Sequence, residues 1–96
     1  MLQQAAYRRI TNETHPRSDQ AIQARMALIV GAKKFDKLFA GIRFDELDGY
    51  LLYAFAKDED CAADIEDEYS LHIATIASGI LQKNVDVVLV LPKVLQ

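Results

Sequence analysis

The first pattern along the chain is an apolar stripe with helical spacing. Its members recur at intervals of three or four residues, namely Leu28, Ala32, Phe35, Phe39 and Ile42. Such intervals place side chains on one face of an α-helix. Ile22, Met26 and Ile29 widen the stripe. With Ser18 or Asp19 as the N-cap, the pattern predicts one helix over about residues 19–40.

The weak point of that helix is Gly31, which follows the short apolar run at residues 27–30. A glycine inside a helix costs about 1 kcal/mol relative to alanine. A short apolar run before a glycine is also typical of a strand. A strand at residues 27–30 therefore stays open as an alternative to the helix.

Two continuous apolar runs in the second half predict strands. Residues 50–56 follow Gly49 and are apolar at every position, which is typical of a strand covered on both faces. Residues 85–91 are rich in β-branched side chains and end at Pro92, so they predict a second strand.

Helical spacing returns between these strands. The stripe consists of Ile65, Tyr69, Ile73, Ile76 and Ile80. It predicts a helix that begins within residues 58–60, where acidic side chains oppose the positive end of the helix dipole. Residues 82–84 provide the stop, and Asn84 suits the left-handed position after a helix end.

Together these elements predict an α+β or small α/β fold in the order helix, strand, helix, strand. Residues 49–91 form a βαβ unit within one domain of residues 18–96, and residues 1–17 form an N-terminal arm or a short helix plus a loop. Two strands alone make a poor sheet. Either a third strand exists, at residues 28–30 or in the arm, or the protein pairs as a homodimer through the sheet edge or the helix faces.

Composition is that of an ordinary globular protein, with 51% hydrophobic and 26% charged residues among 96. No apolar run is long enough to span a membrane. Cys61 is the sole cysteine, so an intramolecular disulfide is excluded. We therefore expect a cytoplasmic protein without membrane association.

The net charge of −3 conceals a strong asymmetry. Residues 1–43 carry eight basic and three acidic side chains, whereas residues 44–96 carry three basic and eleven acidic ones. Two interpretations remain open. The halves neutralise each other, within one chain or across a dimer, or one of them binds an oppositely charged partner.

Acidic residues are densest at residues 58–68, which hold seven of the fourteen in the chain. Those at residues 58–60 are explained by the helix dipole. The others exceed what the dipole can use, and several repel one another at i and i+4. The sequence thus predicts a protein-binding site formed by Asp64, Glu66, Asp67 and Glu68.

Candidate chemistry is sparse. The glycines do not form a phosphate-binding loop, and we expect no cofactor and no catalytic residue. Asp64, Glu68 and His72 share a helix edge, but the set is incomplete for a metal, and a core-edge His72 bonded to Glu68 is the simpler account. Cys61 is expected to be a small buried residue. The sequence favours a non-enzyme.

The function that these features favour is a small cytosolic interaction protein. Its acidic helix would bind a basic surface of a protein partner, as an inhibitor of the immunity, antitoxin or anti-defence kind would. The alternative is a homodimeric regulator or scaffold associated with nucleic acid through the basic N-terminal half. Salt-dependent binding to DNA or RNA would favour that alternative.

Overall fold

The computed structural model describes residues 14–93. Three helical segments and a three-stranded mixed sheet follow one another along the chain. They are α1 (Pro16–Val30), α2 (Ala32–Lys34, continued by a π-helical turn at Phe35–Phe39), β1 (Arg43–Asp48), β2 (Leu51–Ala56), α3 (Glu59–Leu81) and β3 (Val87–Pro92). This α+β arrangement in a single domain agrees with the predicted fold class.

The predicted βαβ unit is confirmed. Strands β2 and β3 are parallel neighbours, with Leu51 opposite Val87 and Phe55 opposite Leu91, and α3 connects them. Alternate residues of both strands are buried beneath the helices: Leu52, Ala54, Ala56, Val88 and Val90. Because α1 and α3 pack against each other and against the sheet, all described helices cover that one face.

The third strand, β1, is one that the sequence pattern did not reveal. It pairs antiparallel with β2 and makes the sheet order β1-β2-β3. Its register shifts between Phe44 and Glu46, which is a β-bulge. The bulge places the inward residues Phe44 and Leu47 three positions apart, so the period of two that identifies a strand is lost. Residues 28–30, proposed as the third strand, are helical instead, and the N-terminal arm lies outside the described residues.

The single helix predicted over residues 19–40 is divided at Gly31. Its backbone angles, φ 88° and ψ 158°, lie in a region that only glycine occupies readily. The break changes the phase of the apolar stripe. Met26 is fully buried in α1, but Leu28 is 82% exposed, so the prediction that Leu28 shares one helix face with the buried Phe39 was wrong.

The ends of the helices follow recognisable capping rules. Helix α1 begins three residues earlier than predicted, with Pro16 in the first turn and His15 as the N-cap. The Nδ1 atom of His15 accepts a hydrogen bond from the Arg17 backbone N–H at 3.0 Å. Helix α3 ends at Leu81, and Gln82 rather than Asn84 takes the left-handed conformation.

Aromatic residues join α2 to α3 in the core. Phe39 is fully buried. Its ring stacks on Phe35 at a centroid distance of 5.5 Å and meets the edge of Tyr69, also at 5.5 Å. Such pairs add about 0.5 to 1.5 kcal/mol each beyond the burial of their area. The contact packs α2 against the middle of α3.

Candidate functional site

The acidic segment begins at the predicted start of the helix, and its first residue is a structural cap. Asp58 is the N-cap of α3, and its Oδ1 accepts a hydrogen bond from the Cys61 backbone N–H at 2.8 Å. That hydrogen bond holds the pKa of Asp58 below its ordinary value. Glu59 and Asp60 lie in the first turn, where the helix dipole favours negative charge.

Cys61 is buried beside this cap, as the sequence predicted. Its thiol donates a long hydrogen bond of 3.6 Å to the backbone carbonyl of Lys37. Burial raises the pKa of the thiol, and the neighbouring Asp58 carboxylate raises it further. Both effects oppose formation of the nucleophilic thiolate.

The four residues of the predicted protein-binding site lie close together in the first half of α3. Asp64, Asp67 and Glu68 are exposed, and Glu66 is half-buried. Asp64, Glu66 and Asp67 line one shallow depression together with Ala63, whereas Glu68 is not part of it. Glu68 lies four residues from Asp64 and is therefore its neighbour on the helix surface.

The most exposed side of α3 carries an ordered row of side chains. Asp60, Asp64, Asp67 and Leu71 recur at intervals of four, three and four residues, so they share one face of the helix. We call these four residues the acidic crest. Leu71 is 78% exposed. Leu71 thus adds exposed apolar area at the end of a row of carboxylates.

A groove runs from the crest towards the start of β3. Its walls are formed by Glu66, Ser70, Leu71, Asp86, Val87 and Val88. Val87 is 56% exposed. Sequence reasoning missed Leu71, Asp86 and Val87 as site residues. The spacing of Leu71 from Asp64 and Asp67 was a usable signal, but the approach of β3 to α3 is a tertiary contact that no local spacing records.

Within residues 14–93 the crest makes no ion pair. The salt bridge found there joins Arg43 to Asp45 at 2.7 Å. Lys33 and Lys37 of α2 are exposed and do not reach the carboxylates of α3. In the described part of the chain, the basic half therefore forms no ion pair with the acidic crest.

His72 differs from its expected arrangement. It is exposed, it meets the ring of Tyr69 edge-on at 6.0 Å, and the predicted hydrogen bond to Glu68 is not formed. An apolar groove lies beside it, lined by Ile29, Leu71, His72, Thr75 and Ile76. Over residues 14–93, no three His, Cys, Asp or Glu side chains converge on a point where a metal ion would bind.

The basic residues of the N-terminal half lie on the surface. Those within the described range are exposed along α1, α2 and the start of β1: Arg17, Arg25, Lys33, Lys34, Lys37 and Arg43. Arg8 and Arg9 fall outside that range. The nucleic-acid alternative stays a prediction, and no observation of the site adds to it.

No protein-family profile matches the chain, and a search among curated proteins finds no significant relative. None of the helices within residues 14–93 combines the length and the apolar character needed to cross a bilayer.

Proposed function

We propose that this protein is a small non-enzymatic binding protein whose acidic crest docks on a basic surface of a protein partner. An inhibitor of the immunity, antitoxin or anti-defence kind would act in this way. One observation carries the proposal. Leu71 is 78% exposed at the end of a row of three carboxylates that make no ion pair among residues 14–93.

The two components of the crest serve different steps of association. Carboxylates concentrated on one side of a protein attract a basic partner and raise the rate of encounter. An exposed leucine supplies apolar area that is buried once the partner is in place, which slows dissociation. The groove towards Val87 and Val88 extends this apolar area, and Glu66 and Asp86 border it.

The proposal includes a cytosolic location. The lone thiol of Cys61 is buried and unpaired with another cysteine of this chain, as suits a reducing compartment.

The test is quantitative capture from a native extract of the source cells by the immobilised protein, followed by elution with increasing salt. We expect basic proteins to be retained and to elute as salt screens the charges. Asp67→Lys and Leu71→Ser are expected to abolish retention. Asp36→Lys, which makes the same charge change at an exposed position on α2, is expected to preserve it.

Identical sets of captured proteins for the wild type, Asp67→Lys and Leu71→Ser would refute the proposal. Equal loss with Asp67→Lys and Asp36→Lys would also count against it, because net charge rather than the crest would then govern capture. Circular dichroism of each variant checks that loss of capture does not come from loss of folding.

A further inference from the structure

The sheet face opposite the helices is apolar on two strands and charged on the third. Strand pairing places its outward residues in three rows: Asp48, Leu51 and Val87; Glu46, Tyr53 and Leu89; Arg43, Phe55 and Leu91. Strands β2 and β3 thus contribute two parallel columns of large apolar side chains. Strand β1 contributes a column of charges along one side. We call this surface the outer sheet face.

This face lacks a covering layer in the described part of the chain, since α1 and α3 pack on the opposite, buried face and α2 packs on these two helices. The apolar side chains shield one another only in part. Five of them are half-buried, and Val87 is 56% exposed. Contiguous apolar area of this kind on a small domain marks an interaction surface.

The charged column has opposite signs at its two ends. Asp48 lies at the end next to Leu51 and Val87. Arg43 lies at the other end, where it lines a shallow depression with Asp45, Phe55 and Lys93. Asp45 neutralises part of this charge through its ion pair with Arg43, but Lys93 adds a second cation. The column is therefore acidic at one end and basic at the other.

From this pattern we propose that the outer sheet face binds a second copy of the same chain, with the strands of the two copies antiparallel. A two-fold axis in the plane of the interface, perpendicular to the strands, sets the apolar columns against each other. It also sets Asp48 of each copy against the Arg43 and Lys93 end of the other. Two sheets pack in this manner about 10 Å apart.

The other in-plane axis, parallel to the strands, is unfavourable. It would place the charged column of β1 against the apolar column of β3, and charges buried without partners are costly. The antiparallel arrangement creates one unfavourable contact, because Glu46 in the middle row approaches Glu46 of the second copy. That contact lies at the solvent-exposed side of the interface.

The first test is sedimentation velocity of the full chain over a range of concentrations. We expect a reversible dimer. Tyr53→Asp, on the central strand of the outer sheet face, is expected to raise the dimer dissociation constant at least about tenfold. Leu28→Asp is the matched control, since Leu28 is 82% exposed on α1, and it is expected to leave the constant unchanged.

A charge exchange tests the antiparallel orientation. Asp48→Lys alone and Arg43→Glu alone are each expected to weaken the dimer, because like charges then face each other. An equimolar mixture of the two variants is expected to dimerise again, since a heterodimer restores both opposite-charge contacts. Glu46→Gln is expected to tighten the dimer several-fold by removing the like-charge contact.

A different dimer interface, or a different segment on this face, would give a different result in these experiments. A dimer that survives Tyr53→Asp would be formed elsewhere, for example through the open edge of β3, and would overturn the proposal. A monomer at all concentrations would overturn it too. If that monomer dimerises once residues 1–13 are deleted, those residues are the occupant. Leu71 is not on the outer sheet face, so Leu71→Ser is expected to leave the dimer intact while it abolishes capture, and the two proposals can fail separately.

Discussion

The carboxylate of Asp19 on α1 accepts a hydrogen bond from the backbone N–H of Phe44 on β1 at 2.7 Å, across 25 positions of sequence. Gln23 completes the arrangement. Its side-chain amide donates to both oxygens of Asp19 at 3.1 Å and to the backbone carbonyl of Ile42 at 3.0 Å. Asp19, considered an N-cap from the sequence, instead attaches α1 to the start of the sheet.

Replacing Asp19 with alanine is expected to lower the free energy of unfolding by about 2 kcal/mol, because hydrogen bonds to a charged group are strong, the Phe44 N–H loses its acceptor and Gln23 keeps only the Ile42 carbonyl. Urea denaturation measures the effect. Asp36→Ala is the control, since Asp36 is exposed on α2, and a change within about 0.5 kcal/mol is expected there. Equal effects at the two positions would contradict the structural role of Asp19.

Replacing Gly31 and Gly79 with alanine is expected to change the stability of the protein in opposite directions. Gly31→Ala should destabilise the protein by about 1 to 3 kcal/mol, since an L-residue is strained at these angles. Gly79 lies within α3 at ordinary helical angles with open space around it, so Gly79→Ala should stabilise by up to about 1 kcal/mol. A Cβ at Gly31 also meets no atom within 4 Å, so the cost comes from the backbone alone. Thermal melts of the pair settle the sign of each change.

Asp58 is expected to make stability depend on acidity. Its pKa is lower in the folded protein than its ordinary value of 3.8, so its stabilising effect is complete above that value and is lost as pH falls through the lowered pKa. Asp58→Ala should therefore be less stable than the wild type at pH 7, and the difference should shrink in acid. Urea midpoints measured from pH 7 downwards test this.

Asp58→Ser retains a capping oxygen without a titratable group. Asp58→Ser is expected to be more stable than Asp58→Ala at pH 7. Its stability should lack the part of the acid dependence that the Asp58 carboxylate gives to the wild type. The difference in the free energy of unfolding between Asp58→Ala and the wild type could instead stay constant on acidification. That result would show that the ionised carboxylate of Asp58 does not stabilise the fold more than its protonated form does.

The thiol of Cys61 is expected to react slowly in the native protein. Burial and the nearby Asp58 raise its pKa, so little thiolate forms at neutral pH, and access is also restricted. Labelling with a chromogenic disulfide should be slow without denaturant and rapid in urea. A native rate equal to that of a free small thiol at the same pH would contradict this expectation.

Replacing Asp64 with lysine is expected to raise the stability of the protein and to weaken its binding to a partner. It lies four residues from both Asp60 and Glu68, so Asp64→Lys replaces two repulsive pairs with attractive ones. The expected gain is about 0.5 to 1 kcal/mol in the free energy of unfolding. If the crest binds a basic partner, the same variant loses retention in the capture experiment. If Asp64→Lys is less stable than the wild type and is fully retained in the capture experiment, both expectations are contradicted.

The βαβ unit could be derived from local pattern because its signals lie within single segments. The apolar run before Lys57, the stripe from Ile65 to Ile80 and the β-branched run before Pro92 each specify their own element. Strand β1 could not be derived in this way. Phe44 and Leu47 lose their alternation at the bulge, and the acidic residues between them read as a loop.

The division of the first helix shows the same limit. The stripe that contained both Leu28 and Phe39 assumed a constant helical phase across Gly31. The positive φ of that glycine alters the direction of the chain, so Phe39 is buried while Leu28 is exposed. Only the packing of α2 against Tyr69 decides which part of the stripe faces the core.

The sequence by itself determined the α+β class, the start of α3 and the segment that holds the candidate site, because each depends on neighbours within a few residues. Tertiary structure decided what lies beside those carboxylates. It joined Leu71 to Val87, and it arranged the outer sheet face into apolar and charged columns. These relationships depend on strand register and on the approach of distant segments, and no local period encodes either.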